Sequence, residues 1–169
     1  MKVSPESIKE LRERTSAGVL DCKEALVEAQ GNIEKAVEVL RERGLSVARK
    51  KMERVTTEGI IQTYVHHTGK IGALIELNCE SDFVARTEEF RQLAYDIAMQ
   101  VAATSPRFIS TEKIPEKEKD VNPQTDCLVN QPFIKQPEKS VQEIIAETIA
   151  KVGENIKVSR FTRFELGNY

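Results

Sequence analysis

The hydrophobic period of this chain changes at Thr56, and that change restricts the fold more than any other feature. Upstream, apolar residues recur with helical spacing. Cys22, Ala25, Leu26 and Ala29 stand at i, i+3, i+4 and i+7, and Ile33, Ala36, Val37 and Leu40 repeat the pattern. Downstream, Gly59 to His66 is rich in Ile, Thr, Tyr and Val. Ile71 to Cys79 then alternates, with Ala73, Ile75, Leu77 and Cys79 on one face. A helical period does not settle as a strand, nor the reverse. The chain is therefore expected to be α+β, with a helical N-terminal unit followed by a core containing an antiparallel sheet.

Residues 1–54 are expected to form a three-helix N-terminal domain with a basic linker. Ser4 caps the first helix and Pro5 takes its first position, where a missing N–H costs nothing. That helix runs to about Arg14 with Ile8 and Leu11 inward, and Thr15-Ser16-Ala17-Gly18 breaks it. A second helix spans about Val19 to Ala29 and ends at Gly31. Asn32 caps a third, which Gly44 is expected to end. The run around Arg49, Lys50, Lys51 and Arg54 then reads as a short basic helix joining two domains.

Residues 55–169 form the expected α+β core. The two strands make a hairpin turning at His67-Thr68-Gly69-Lys70. A helix starting near Thr87 places Phe90, Leu93, Ala94, Ile97, Ala98 and Val101 on one face, and stops before Ser105-Pro106. Residues 110–139 carry four prolines, Pro115, Pro123, Pro132 and Pro137. They read as an irregular, exposed connection with a short extended piece near Cys127 to Ile134. Ser140 caps a last helix with Val141, Ile144, Ile145, Thr148, Ile149 and Val152 inward, and Gly153 stops it. Ile156 to Leu166 is the last strand, with Phe161 and Phe164 on opposite faces and room for a bulge. Two helices on one face of a three-stranded antiparallel sheet complete the layer.

Function classes fall away quickly. A formal net charge of −2 gives no global basic field for nucleic acid. Three sparse cysteines, Cys22, Cys79 and Cys127, argue against a disulfide framework and for a reducing compartment. No apolar run approaches the ~18 residues of a membrane span, so a soluble, cytoplasmic protein is expected. The only histidines, His66 and His67, are adjacent and on opposite faces if the strand is regular, so a metal site with Cys79 is disfavoured. No phosphate-cradling glycine loop or Gly-x-Ser-x-Gly elbow is present, and the chain is not expected to be an enzyme or to hold a cofactor. Two places stand out. Leu20, with Val19, lies off the buried stripe of its helix and is either one exposed aliphatic or a partner contact. Phe83, at the corner after the second strand, either packs back as a staple or projects from a rigid base.

Two segments carry a resemblance that goes further. Leu11-Arg12-Glu13-Arg14-Thr15-Ser16-Ala17-Gly18-Val19-Leu20-Asp21-Cys22-Lys23-Glu24-Ala25-Leu26 resembles the N-terminal signature of the translation elongation factor Ts family. Glu76-Leu77-Asn78-Cys79-Glu80-Ser81-Asp82-Phe83-Val84-Ala85-Arg86 resembles its second signature. Ala150 to Ile156 and Arg163 to Gly167 match as well. The resemblance implies guanine-nucleotide exchange on elongation factor Tu, a ubiquitin-associated-like N-terminal domain and a dimerisation-type core. It implies that Phe83 is a wedge and Asp82 the polar contact beside it, followed by Val84. It implies that Val19, Leu20 and Lys23 contact the GTPase domain, and that Val152 and Gly153 contact its phosphate-binding end. Ser16 replaces the usual Gly, Ser81 a frequent Thr, and Gln100 a His that is a candidate contact. A single core copy, where longer members have two, suggests a homodimer. No small-molecule substrate, membrane or direct nucleic-acid partner is implied. Two other readings stay open: a ribosome- or nucleic-acid-associated module built on the basic run, and a metal enzyme using His66, His67 and Cys79.

Overall fold

Ser4 and Pro5 begin the first helix as their chemistry dictates. The structure, a computed structural model, describes residues 3–15 and 17–167, so Ser16 in the expected break lies outside the described residues. The Ser7 amide donates to Ser4 Oγ at 3.1 Å and opens α1, Pro5–Thr15. α2 is Val19–Glu28. Gln30 and Gly31 then both take left-handed backbone, with φ of 54° and 84°, and reverse the chain. Asn32 Oδ1 accepts from the Lys35 amide at 2.9 Å and caps α3, Ile33–Lys51. The helical stripes meet in a small core of Leu11, Cys22, Ala25, Leu26 and Ala36.

The expected stop at Gly44 and the separate linker helix are corrected here. α3 runs 19 residues without a break, and the basic run forms its last turns. Packing overrides the glycine. A Cβ at Gly44 would lie 3.7 Å from Ala150 Cβ, so the bare backbone lets α3 lie close along the last helix. Leu45 and Ala48 continue the inward face from Leu40 and join the core of the second half.

The sheet has the order β1-β2-β5, antiparallel throughout, from β1 (Glu58–Val65), β2 (Ile71–Cys79) and β5 (Lys157–Glu165). Ala73, Ile75, Leu77 and Cys79 are buried, as the alternation requires. Leu77 pairs with Val158 and Glu76 with Arg160, so Ser159 is an extra residue. That bulge flips the parity of β5. Phe161 therefore turns to the core, while Phe164 faces outward, 71% exposed. A one-turn helix, α4 (Asp82–Ala85), follows β2, and α5 (Glu88–Thr104) lies across the inner face of the sheet.

The connection from 105 to 139 is more ordered than its prolines suggest. It contains α6 (Pro123–Asp126), 3₁₀ turns at Thr111–Lys113 and Leu128–Asn130, and a two-stranded ladder of β3 (Pro132–Phe133) and β4 (Gln136–Ser140). Gln100 organises it from within α5. Its Nε2 donates to Gln131 Oε1 and to the Pro132 carbonyl, both at 3.1 Å, and its Oε1 accepts from the Ile134 amide at 2.9 Å. Ser140 and Glu143 then form a capping box that opens α7 (Val141–Val152). α7 packs along α3 and against α5.

Candidate functional site

The corner after β2 is built by two successive caps. Ser81 Oγ accepts from the Val84 amide at 3.4 Å and starts α4. Thr87 closes it: its Oγ1 donates to the Val84 carbonyl at 2.9 Å and accepts from the Phe90 amide at 3.3 Å, starting α5. One helical turn sends consecutive side chains in different directions. Val84 and Ala85 are buried, whereas the Phe83 ring is 79% exposed. Of the two readings open for this ring, the structure takes the second: it does not pack back onto the helix. Asp82 is half-buried and pairs with Arg86 at 2.7 Å, one turn along.

Beneath the ring the corner is tied to the C-terminal end of α7. Gly153 stops that helix with φ of 80° and turns the chain toward the end of β2. Glu154 Oε2 accepts from the Glu80 amide at 3.2 Å and the Ser81 amide at 2.9 Å. Ser81 Oγ donates to Glu154 Oε1 at 2.6 Å. The exchange is reciprocal, since the Asn155 amide donates to Glu80 Oε1 at 2.6 Å. The buried Asn155 side chain donates to the carbonyls of Met52 (3.2 Å) and Arg54 (2.9 Å), which follow α3. Arg54 pairs with Glu80 at 3.5 Å, and Lys51 Nζ donates to the Gly153 carbonyl. Cys79, buried below, donates to the Ser81 carbonyl at 3.1 Å; burial, and next the Glu154 carboxylate, push its thiol up to about 11. The sequence reading missed Glu80, Glu154 and Asn155 as members of this site. The one local signal was a run of polar residues directly after a helix-stopping glycine.

The other expected contacts fall in two places. Val152, half-buried, and Gly153, exposed, adjoin the Glu154 clamp. Val19, Leu20 and Lys23 are exposed on α2, with Leu20 at 66%. α2 packs on α1 and α3, whereas α4 packs on β1, β2 and α5, so these are two separate surfaces. The assignment of Gln100 as a surface contact is corrected. The side chain has no exposed area, and its donors and acceptor are used by the 131–134 segment. Lys51 and Arg54 of the basic run are likewise engaged within the chain, which weakens the nucleic-acid reading. The His66 and His67 rings lie 4.2 Å apart between centroids, tilted by 57°, beside the hairpin turn, while Cys79 pairs with Glu58 at the far end of the hairpin. Among the described residues no helix is long and apolar enough to cross a membrane.

The outer face of the sheet carries a third exposed set. Ile61, Val65, Leu74 and Phe164 are exposed there, and Ile61, Leu74, Glu76 and Arg160 border a hollow of about 250 Å³.

Comparison with known proteins gives a consistent picture. The family described as Elongation factor TS matches residues 2–125. The Elongation factor Ts of Thermotoga neapolitana is 50% identical over 194 aligned positions, covering 99% of this chain and 98% of that protein. The Elongation factor Ts of Carboxydothermus hydrogenoformans is 45% identical, covering 98% of this chain and 89% of its own. That of Fervidobacterium nodosum is 46% identical, covering 99% and 100%. An alignment of 194 positions exceeds the 169 residues here by 25, so the Thermotoga relative carries residues with no counterpart in this chain.

Proposed function

The chain belongs to the elongation factor Ts family, and on that footing we propose that it is a guanine-nucleotide exchange factor that binds elongation factor Tu carrying GDP and promotes release of the nucleotide. The observation that carries this reading is the Phe83 ring, exposed on a turn whose backbone is held from below by Glu154 and Ser81. An apolar ring on a rigid mount is suited to enter a gap in another protein. Asp82 and Val84 flank it. Val152 and Gly153 extend the same surface, and Val19, Leu20 and Lys23 supply a second hold from the N-terminal helices.

The mechanism is linkage rather than covalent chemistry. A factor that prefers the nucleotide-free partner must weaken GDP binding by the same ratio. Phe83 supplies the preference if its ring is buried only when the phosphate-gripping elements have shifted. Burying a Phe side chain is worth about 1.5–3 kcal/mol. Phe83→Ala should therefore slow GDP release about ten- to hundredfold, with melting unchanged because the ring makes little contact with its own chain. Release of fluorescent GDP from Tu measures this, and an unaltered rate for the variant would refute the reading.

The same proposal extends to location and assembly. A partner of elongation factor Tu would work in the cytoplasm. The exposed Ile61, Val65, Leu74 and Phe164 on the outer sheet face support a homodimer built face to face. Sedimentation at micromolar concentration tests it, and a monomer both alone and with Tu would remove it.

A further inference from the structure

We propose that Glu154 and Asn155 are positioning residues for Phe83: they lock the wedge to the ends of α7 and α3, and so set the rate of exchange without touching the partner. The inference rests on the exchange reading above and deepens it.

The argument starts from what α4 lacks. A helix of four residues has too few internal bonds to hold its own shape. Its exposed ring adds no anchoring, since Phe83 stands away from the core. Val84 and Ala85 anchor one side of the turn in the core, and the backbone that leads into it, at Glu80 and Ser81, is held by Glu154. One carboxylate accepts from two consecutive amides and a hydroxyl, Glu80 N, Ser81 N and Ser81 Oγ. Hydrogen bonds to an ionised acceptor are about twice as strong as neutral ones. Ser81 is also the residue whose Oγ caps α4, so the carboxylate fixes the orientation of the cap itself.

Asn155 completes the lock. Its backbone amide holds Glu80, and its side-chain amide holds the carbonyls of Met52 and Arg54. Three distant stretches of chain are thereby bound at one point: the end of α3, the corner after β2, and the end of α7. Cys79 reports on the lock from beneath, because its thiol is buried under the Ser81 carbonyl.

The test uses the full chain with Tu. Glu154→Ala should lower the saturated rate of GDP release about tenfold, leaving KM for Tu carrying GDP within twofold. Glu154→Gln, whose amide oxygen can accept from both backbone amides while its nitrogen donates to Ser81 Oγ, should restore most of that rate. In a Phe83→Ala background the Glu154→Ala change should cost less than twofold, since a removed wedge has nothing left to position. Mass-resolved maleimide labelling should show Cys79 reacting several-fold faster in Glu154→Ala. If Glu154→Ala does not fold, Asn155→Ser, which cuts the tie to α3, carries the same set of measurements. A wild-type rate for Glu154→Ala, or an equal fractional loss with and without Phe83, overturns the proposal. If Phe83→Ala itself exchanges like wild type, the exchange reading has failed instead, and faster Cys79 labelling would still establish the lock.

Discussion

Replacing Gly44 by alanine gives the sharpest test of the fold, because two readings of that residue predict opposite signs. In the structure Gly44 is interior to α3 and half-buried, and an added Cβ meets Ala150 Cβ at 3.7 Å, an ordinary contact. Alanine in place of glycine in a helix interior stabilises by about 0.8–1 kcal/mol. The new methyl is partly covered by α7 and adds a fraction of the ~0.8 kcal/mol of a fully buried carbon. The sum is about 1–1.5 kcal/mol. For a chain of this size each kcal/mol raises Tm by about 2–4 °C, so a rise of roughly 2–6 °C is expected, with a matching increase in the urea midpoint. If the helix instead ended at Gly44 in a left-handed cap, alanine there would be strained and cost about 1 kcal/mol. A fall in Tm would therefore refute the continuous α3, and with it the route from the N-terminal helices to the corner.

Two further outcomes follow from side chains that hold neighbouring backbone in place. Gln100→Ala strands the Ile134 amide and leaves the Pro132 carbonyl without its donor, so a loss of about 2–4 kcal/mol is expected by denaturation. Below its melting point the variant should exchange GDP at the wild-type rate, and a selective loss of exchange would restore Gln100 as a contact. Glu143 has its carboxyl held below the ordinary value of 4.5, first by the Ser140 amide, then by the Ser140 hydroxyl and the charges of Arg41 and Lys139. A depressed folded value means its stabilisation is complete above 4.5 and is lost as pH falls through the lower, folded value. The urea midpoint of Glu143→Gln should accordingly vary less between pH 7 and pH 3 than that of wild type, and parallel curves would contradict the capping role.

The elements most legible in the sequence were those whose signal is local. Asn32, Ser140 and Thr87 sit where their short polar side chains reach the next amides, so three helix starts could be read to within a residue. β2 was legible from strict alternation. Gly44 misled because glycine is ambiguous: it marks a helix end when the backbone needs a left-handed residue, and close packing when a neighbouring helix needs the room. Only Ala150, 106 positions away, distinguishes these. Residues 110–139 misled for a related reason. Prolines forbid long elements but not a short ladder pinned by a buried amide, and the resemblance turned Gln100 toward a partner rather than toward the 131–134 segment it holds. Of the candidate site, Phe83 could be singled out by its corner, and Leu20 by its place off the buried stripe. The clamp could not, because Glu80, Ser81 and Met52 meet Glu154 and Asn155 across 73 to 103 positions of chain.

Exposure and rigidity are opposed requirements, and the arrangement at Phe83 shows how one corner meets both. A ring that must enter a partner cannot be anchored by its own burial, which is how the neighbouring Val84 and Ala85 are fixed. If the ring were left on an untethered turn, each docking event would have to order several residues, at about 1–2 kcal/mol of backbone entropy apiece. Binding the turn through its backbone amides avoids that cost without covering the ring. It also makes the position of the ring depend on where α7 and α3 end. Since α3 begins beside α2, a partner that grips Leu20 and meets Phe83 engages two surfaces joined by one continuous helix. Their separation is then set by the length of α3 rather than by a flexible linker, and a hold at the first surface narrows the search of the second.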